Sequence, residues 1–168
     1  MGDRPSRTIL LEVYKNMPDG FISTSAYLNI ISGLALLVYW YAYAIFLPYR
    51  DLSTTLAILV ENRNWQWING LGVLGASAGL LGLAGIYIYQ LPKTSSFAAV
   101  GYYIATLGTA LLLGTMLWDT LLWPILLNHD ESLLRFQGPI YLSRTYLPFF
   151  IVSGLIYSAG FVFIGIGI

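Results

Sequence analysis

The sequence predicts an all-α integral membrane protein: a bundle of four transmembrane helices with one or two interfacial amphipathic helices. The chain has 168 residues, of which 57% are hydrophobic and only 10% are charged, with a mean hydropathy of +0.70. Soluble domains carry about 25% charged residues. Four stretches are also long and apolar enough to cross a bilayer core about 30 Å thick, which needs roughly 20 helical residues. We therefore treat residues 1–168 as a single transmembrane domain.

The four predicted spans cover residues 25–47, 68–91, 97–123 and 146–168. None of them contains Lys, Arg, Glu or His, and only the third contains an acid, Asp119. The apolar runs are continuous rather than alternating, which favours helices over the strands of a β-barrel.

The connections between the spans differ in character. Residues 92–96 (PKTSS) are short enough to make the second and third spans an antiparallel hairpin. Residues 52–67 predict an amphipathic interfacial helix, and residues 8–17 predict a second one. Pro124 is predicted to end the third helix. The apolar positions of segment 52–67 recur with Arg63 at helical spacing: Leu56, Leu59, Val60 and Trp67.

The charge distribution bounds the class of partner. Eight basic and eight acidic residues balance to zero, so no net positive field would attract nucleic acid. An even number of spans places both termini on one side of the membrane. Four of the Lys and Arg residues fall on each side, and three of them precede the first span, which slightly favours a cytoplasmic N-terminus.

Rows of small residues mark three of the four spans. At 3.6 residues per turn, four glycines of the second span fall within an arc of about 80°: Gly72, Gly75, Gly79 and Gly82. The third span carries Gly101, Ala105 and Gly108, and the fourth carries Gly154 and Ser158. Small residues let helix backbones approach closely in lipid, so these rows predict helix packing, within the chain or against another subunit. The alternative is room for a flat cofactor or a substrate path.

Asp119 is the strongest candidate for chemistry, because an acid inside a span is a functional hypothesis by default. It lies close to the aromatic-rich end of the third span, where pairing with Arg144 is the structural alternative to proton or ion passage. His129, Asp130 and Glu131 are consecutive, and consecutive side chains seldom converge on one metal. The chain has one histidine and no cysteine, so we expect no metal site.

These patterns favour a non-catalytic integral membrane subunit that packs through small-residue helix faces against other membrane proteins. We therefore expect no enzymatic activity. One alternative is an ion, proton or small-solute transporter that uses Asp119. Another is a binding protein for quinone, haem or pigment, although the sequence requires no cofactor. The expected partners are membrane lipid and either other membrane subunits or a second copy of the chain.

Overall fold

The described part of the chain is built from helices, as the sequence predicts. A computed structural model describes residues 12, 16, 18–47, 56–90, 95–129 and 146–167. Within these ranges the helices are α1 (Asp19–Phe46), α2 (Leu56–Glu61), α3 (Trp65–Gln90), α4 (Ser96–Leu117), α5 (Trp123–His129) and α6 (Tyr146–Gly167). A π-helical segment, Trp118–Leu122, joins α4 to α5. The four helical stretches long and apolar enough to span a membrane are Gly20–Phe46, Trp65–Gln90, Ser96–His129 and Pro148–Gly167. The fold class, an all-α membrane bundle, is confirmed.

The segment predicted as one interfacial helix is divided in the structure. Within 52–67, α2 ends at Glu61 and α3 begins at Trp65, with a turn between them. In that turn the backbone N–H of Asn64 donates to Asn62 Oδ1 at 2.9 Å, and the N–H of Trp65 donates to the Asn62 carbonyl at 2.8 Å. Asparagine side chains stabilise turns of this kind. Because the turn ends where α3 begins at Trp65, Trp67 belongs to the second span. Most of the predicted interfacial segment 8–17 lies outside the described residues.

The third long helix does not end before Pro124. It continues to His129 because the backbone changes register ahead of the proline: the N–H of Trp123 donates to the carbonyl of Trp118, five residues back. Proline has no N–H and clashes with the preceding turn of an α-helix. A π-bulge widens that turn, so the helix passes the proline instead of stopping.

The spanning helices pack as two tight pairs. The first pair is α1 with α3, the second is α4 with α6, and contacts between α3 and α4 join the pairs. In the described residues, the first and last spans share no extensive interface, although the rings of Trp40 and Phe150 meet at 5.8 Å. The bundle therefore has an opening between α1 and α6.

The larger buried cluster lies at the end of the bundle where α1 finishes and α3 begins. The short helix α2 contributes Leu56 and Leu59 to it, and the spanning helices contribute Trp65 and Ile68. Leu126 and Leu127 of α5 pack against the same cluster. The apolar face predicted for segment 52–67 therefore packs against protein at α2.

Candidate functional site

The glycine row of the second span lies against side chains of the first. A methyl group on Gly75 would fall 2.9 Å from Leu36, and one on Gly79 would fall 2.7 Å from Ser32 Oγ. Gly82 faces Asn29 in the same way. A larger residue at any of these positions would push α1 away from α3, so the row has no free space for a ligand.

Gly72 stands at the end of that row where three helices meet. A methyl group there would lie 2.8 Å from the sulfur of Met116 on α4 and 3.1 Å from the ring of Tyr39 on α1. All four glycines of the predicted row are buried.

The small residues of the third span permit direct contact between two backbones. A methyl group on Gly101 would lie 2.7 Å from the backbone nitrogen of Ile164, and one on Gly108 would meet the backbone of Tyr157. Ala105 is buried against Gly160, a residue outside the predicted rows. Close backbone approach is how small residues stabilise helix pairs in lipid.

The small residues predicted to pack on the fourth span lie elsewhere. A methyl group on Gly154 would meet no atom within 4 Å, and Ser158 is exposed. The face of α6 that meets α4 carries Ser153, Gly160 and Ile164 instead. That Gly154 and Ser158 pack against a helix therefore stays a prediction, and the helix would have to belong to another molecule.

These outward positions border the opening between α1 and α6. Phe150, Gly154, Ser158, Phe161 and Gly165 recur at spacings of four, four, three and four residues, so they share one stripe of the helix, in which the small residues alternate with Phe150 and the exposed Phe161. Because Phe150 meets Trp40 of α1, the stripe borders the side of α6 that is turned toward α1.

The opposite wall of the opening also carries small residues. On α1, Gly33 and Ala26 precede Trp40 by seven and fourteen residues, both are exposed, and Gly33 has nothing within 4 Å. We call the space between the two stripes the α1/α6 opening.

Asp119 lies in the π-helical segment and is 4% exposed. Its carboxylate accepts a hydrogen bond from the indole of Trp123 at 2.9 Å, and its backbone carbonyl accepts one from the indole of Trp65 at 2.8 Å. Asp119 follows Ser96, the first residue of α4, by 23 residues. That is about 35 Å of helix, beyond a hydrocarbon core about 30 Å thick. The bond from the indole of Trp65 places the acid level with the beginning of α3.

The predicted partner of this acid, Arg144, lies outside the described residues, as do Asp130 and Glu131. His129 is exposed at the end of α5. Within the described ranges, no three His, Asp or Glu side chains are grouped closely enough to hold a metal ion.

Two residues of this region were not predicted from the sequence. Trp65 is typical of an interfacial anchor by its position, yet it is 2% exposed and bonded to Asp119. Asn69 is completely buried, and its amide nitrogen donates to the Trp65 carbonyl at 2.9 Å. The signal in the sequence was their four-residue spacing, which puts the polar side chain of Asn69 one helical turn from Trp65.

Comparison with protein-family models, with curated proteins and with solved structures finds no match to this chain.

Proposed function

We propose that the chain is a non-catalytic integral membrane subunit, and that the α1/α6 opening receives a transmembrane helix of another protein. The observation that carries this proposal is the outward row of small residues on α6. Gly154 and Gly165 have open space around them, and Ser158 between them is exposed. Small residues in such rows are typical of helix–helix contacts in membranes.

The other outward side of these helices differs in composition from the proposed docking stripe, as expected for a surface that faces lipid. On α6, the side turned away from both α1 and α4 carries large aliphatic side chains: Val152, Leu155 and Ile166, all at least half exposed. On α1 the corresponding residues include Ile30, Leu34 and Ile45. Large aliphatic groups suit lipid chains, whereas a groove of glycine and serine leaves lipid poorly packed and accommodates a helix backbone.

Asp119 favours a structural role over ion passage. Its carboxylate and its carbonyl each accept an indole N–H, and its position 23 residues after Ser96 fits the edge of a membrane better than the centre. An ion path would need polar groups continuing across the bilayer from this acid. A quinone or pigment in the α1/α6 opening is the competing occupant, because a long apolar molecule would also fill a groove of small residues.

Purification from native membranes in mild detergent tests the proposal. We expect the wild-type chain to carry a membrane protein partner in fixed stoichiometry. Ser158→Leu should release that partner, because the larger side chain fills the groove. Val152→Leu is the matched control, since Val152 is 50% exposed and lies about 120° around the same helix from Ser158.

The proposal fails if Ser158→Leu and Val152→Leu retain the partner equally. It also fails if the wild-type protein carries no protein partner but contains a quinone or a visible chromophore. If the sole partner is a second copy of this chain, the proposal that another protein occupies the α1/α6 opening is wrong.

A further inference from the structure

Glycine contacts hold the first helix pair together along most of its length. Gly85 of α3 lies against Ser25 of α1, and a methyl group on Gly72 would lie 3.1 Å from the ring of Tyr39. The glycines of the row between these two positions meet α1 in the same way. Ser25 and Tyr39 are fourteen residues apart, which is about 21 Å of helix. Because rotation of either helix would bring larger groups into these contacts, α1 and α3 form one rigid unit.

The second pair is joined by contacts between backbones. Gly167 of α6 lies against the backbone of Ala98 on α4, and Gly108 of α4 lies against the backbone of Tyr157 on α6. These two contacts are ten residues apart on each helix, which is about 15 Å. The helices α4 and α6 therefore form a second rigid unit.

The interface between the two units, along α3 and α4, is made differently. A methyl group on Gly72 would meet the sulfur of Met116, which belongs to a flexible side chain, and one on Gly79 would lie 3.6 Å from the methyl group of Thr109. The α3/α4 interface is also less extensive than the interface inside either pair. The two units are therefore joined more loosely than the helices within them.

Two hydrogen bonds lie at the ends of the α3/α4 interface. The indole of Trp65, the first residue of α3, donates to the Asp119 carbonyl at 2.8 Å. At the other end, the hydroxyl of Tyr102 donates to the side chain of Gln90, the last residue of α3. Both bonds lie on the line between α3 and α4, so they can survive rotation of one unit about that line. We call this line the α3/α4 axis.

Away from this axis, the two units meet where the rings of Trp40 and Phe150 contact each other. The rings pack edge to face with their centroids 5.8 Å apart, and Trp40 is 48% exposed. Among the described residues, α1 and α6 share no extensive interface that would add to this contact. Rotation about the α3/α4 axis displaces groups in proportion to their distance from it, so it would separate these rings while the axis stays intact.

We propose that the two units rotate about the α3/α4 axis, and that the contact between Trp40 and Phe150 holds the α1/α6 opening in its narrower state. Rotation of rigid units about a hinge is a common way for proteins to open a binding groove. The role of this motion in admitting a partner helix rests on the proposed function, whereas the motion itself does not.

Distances between spin labels on the purified chain in lipid nanodiscs, without any partner, test the proposal. The chain contains no cysteine, so labels attach only at introduced thiols. Leu34→Cys with Leu155→Cys reports the distance across the opening, because these side chains of α1 and α6 are 59% and 63% exposed. Leu34→Cys with Leu81→Cys reports on the first unit, and Leu107→Cys with Leu155→Cys reports on the second.

We expect Phe150→Leu to widen the opening. The ratio of longer to shorter distances between positions 34 and 155 should rise about twofold to tenfold, which is the effect of an edge-to-face ring pair on an equilibrium constant. Trp40→Leu should act in the same way, because it removes the other ring. The distances inside each unit should stay unchanged in both variants.

Tyr41→Leu is the matched control, because Tyr41 is next to Trp40 and is 64% exposed. The proposal is wrong if Phe150→Leu and Trp40→Leu leave the distance across the opening as it is in Tyr41→Leu. It is also wrong if the distances inside the units lengthen equally, since the pairs would then not be rigid. Neither result depends on whether Ser158→Leu releases a partner, so this proposal and the proposed function can fail separately.

Discussion

At the scale of single residues, Pro124 explains why Trp65 is buried. The π register pairs the Trp118 carbonyl with the N–H of Trp123, so the next carbonyl, that of Asp119, would require the N–H of residue 124. Proline has none. The indole of Trp65 supplies the missing donor at 2.8 Å. The proline, the π-bulge and the buried tryptophan are therefore parts of one local structure.

Trp65→Phe should consequently destabilise the protein by about 1–3 kcal/mol, because a buried carbonyl would lose its donor while the apolar ring is largely retained. Trp67→Phe is the matched control: its indole bonds to Asn64 Oδ1 at an exposed position. We expect a loss of less than about 1 kcal/mol there. Unfolding in detergent, followed by circular dichroism, measures both.

Repeating Trp65→Phe in a Pro124→Ala background tests whether the N–H that proline lacks is the reason for the loss of stability. Alanine restores an N–H at position 124, so the loss caused by Trp65→Phe should be smaller in that background. An equal loss in both backgrounds would show that Trp65 stabilises the protein by packing alone.

At the scale of helices, the close approach of α4 and α6 depends on glycine at specific positions. Gly108→Ala would place a methyl group against the backbone of Tyr157, and separating the helices should cost about 1–3 kcal/mol. Gly114→Ala on the same helix has nothing within 4 Å and should leave stability unchanged or slightly higher. Thermal unfolding of the two variants compares them, and equal destabilisation would contradict the observed packing.

Helix periodicity predicted the glycine positions better than it predicted their partners. The second span contains one row of small residues within a single arc, and that row is buried against α1. The fourth span contains two rows, one through Gly154 and Ser158 and one through Gly160 and Gly167. Only the second row meets α4. Spacing alone could not distinguish them, because both rows fit a helix and lipid imposes no polarity on either face.

Helix ends were predicted less well, for local reasons. Pro124 normally stops an α-helix, and only the register change and the distant Trp65 make continuation favourable. The division of segment 52–67 depends on the side chain of Asn62, whose bond to Asn64 makes a turn inside an otherwise periodic segment. Both outcomes depend on hydrogen bonds that a hydrophobicity pattern does not contain.

At the scale of the whole molecule, four apolar runs were sufficient to predict the membrane bundle, and the arrangement of the helices had to come from contacts. Two tight pairs leave the α1/α6 opening, which Trp40 and Phe150 close at one end. The aromatic residues near the long connections contribute to a buried cluster as well as to anchoring, as Tyr39 and Tyr43 show.

Cysteine cross-linking in native membranes tests most directly whether that opening holds a partner. The chain contains no cysteine, so each introduced thiol is unique. We predict that Ser158→Cys forms an adduct with another membrane protein. Val152→Cys, on the lipid-facing side, and Ser32→Cys, buried against Gly79, should form none. No adduct from Ser158→Cys, or equal adducts from Ser158→Cys and Val152→Cys, would contradict a partner helix in the α1/α6 opening.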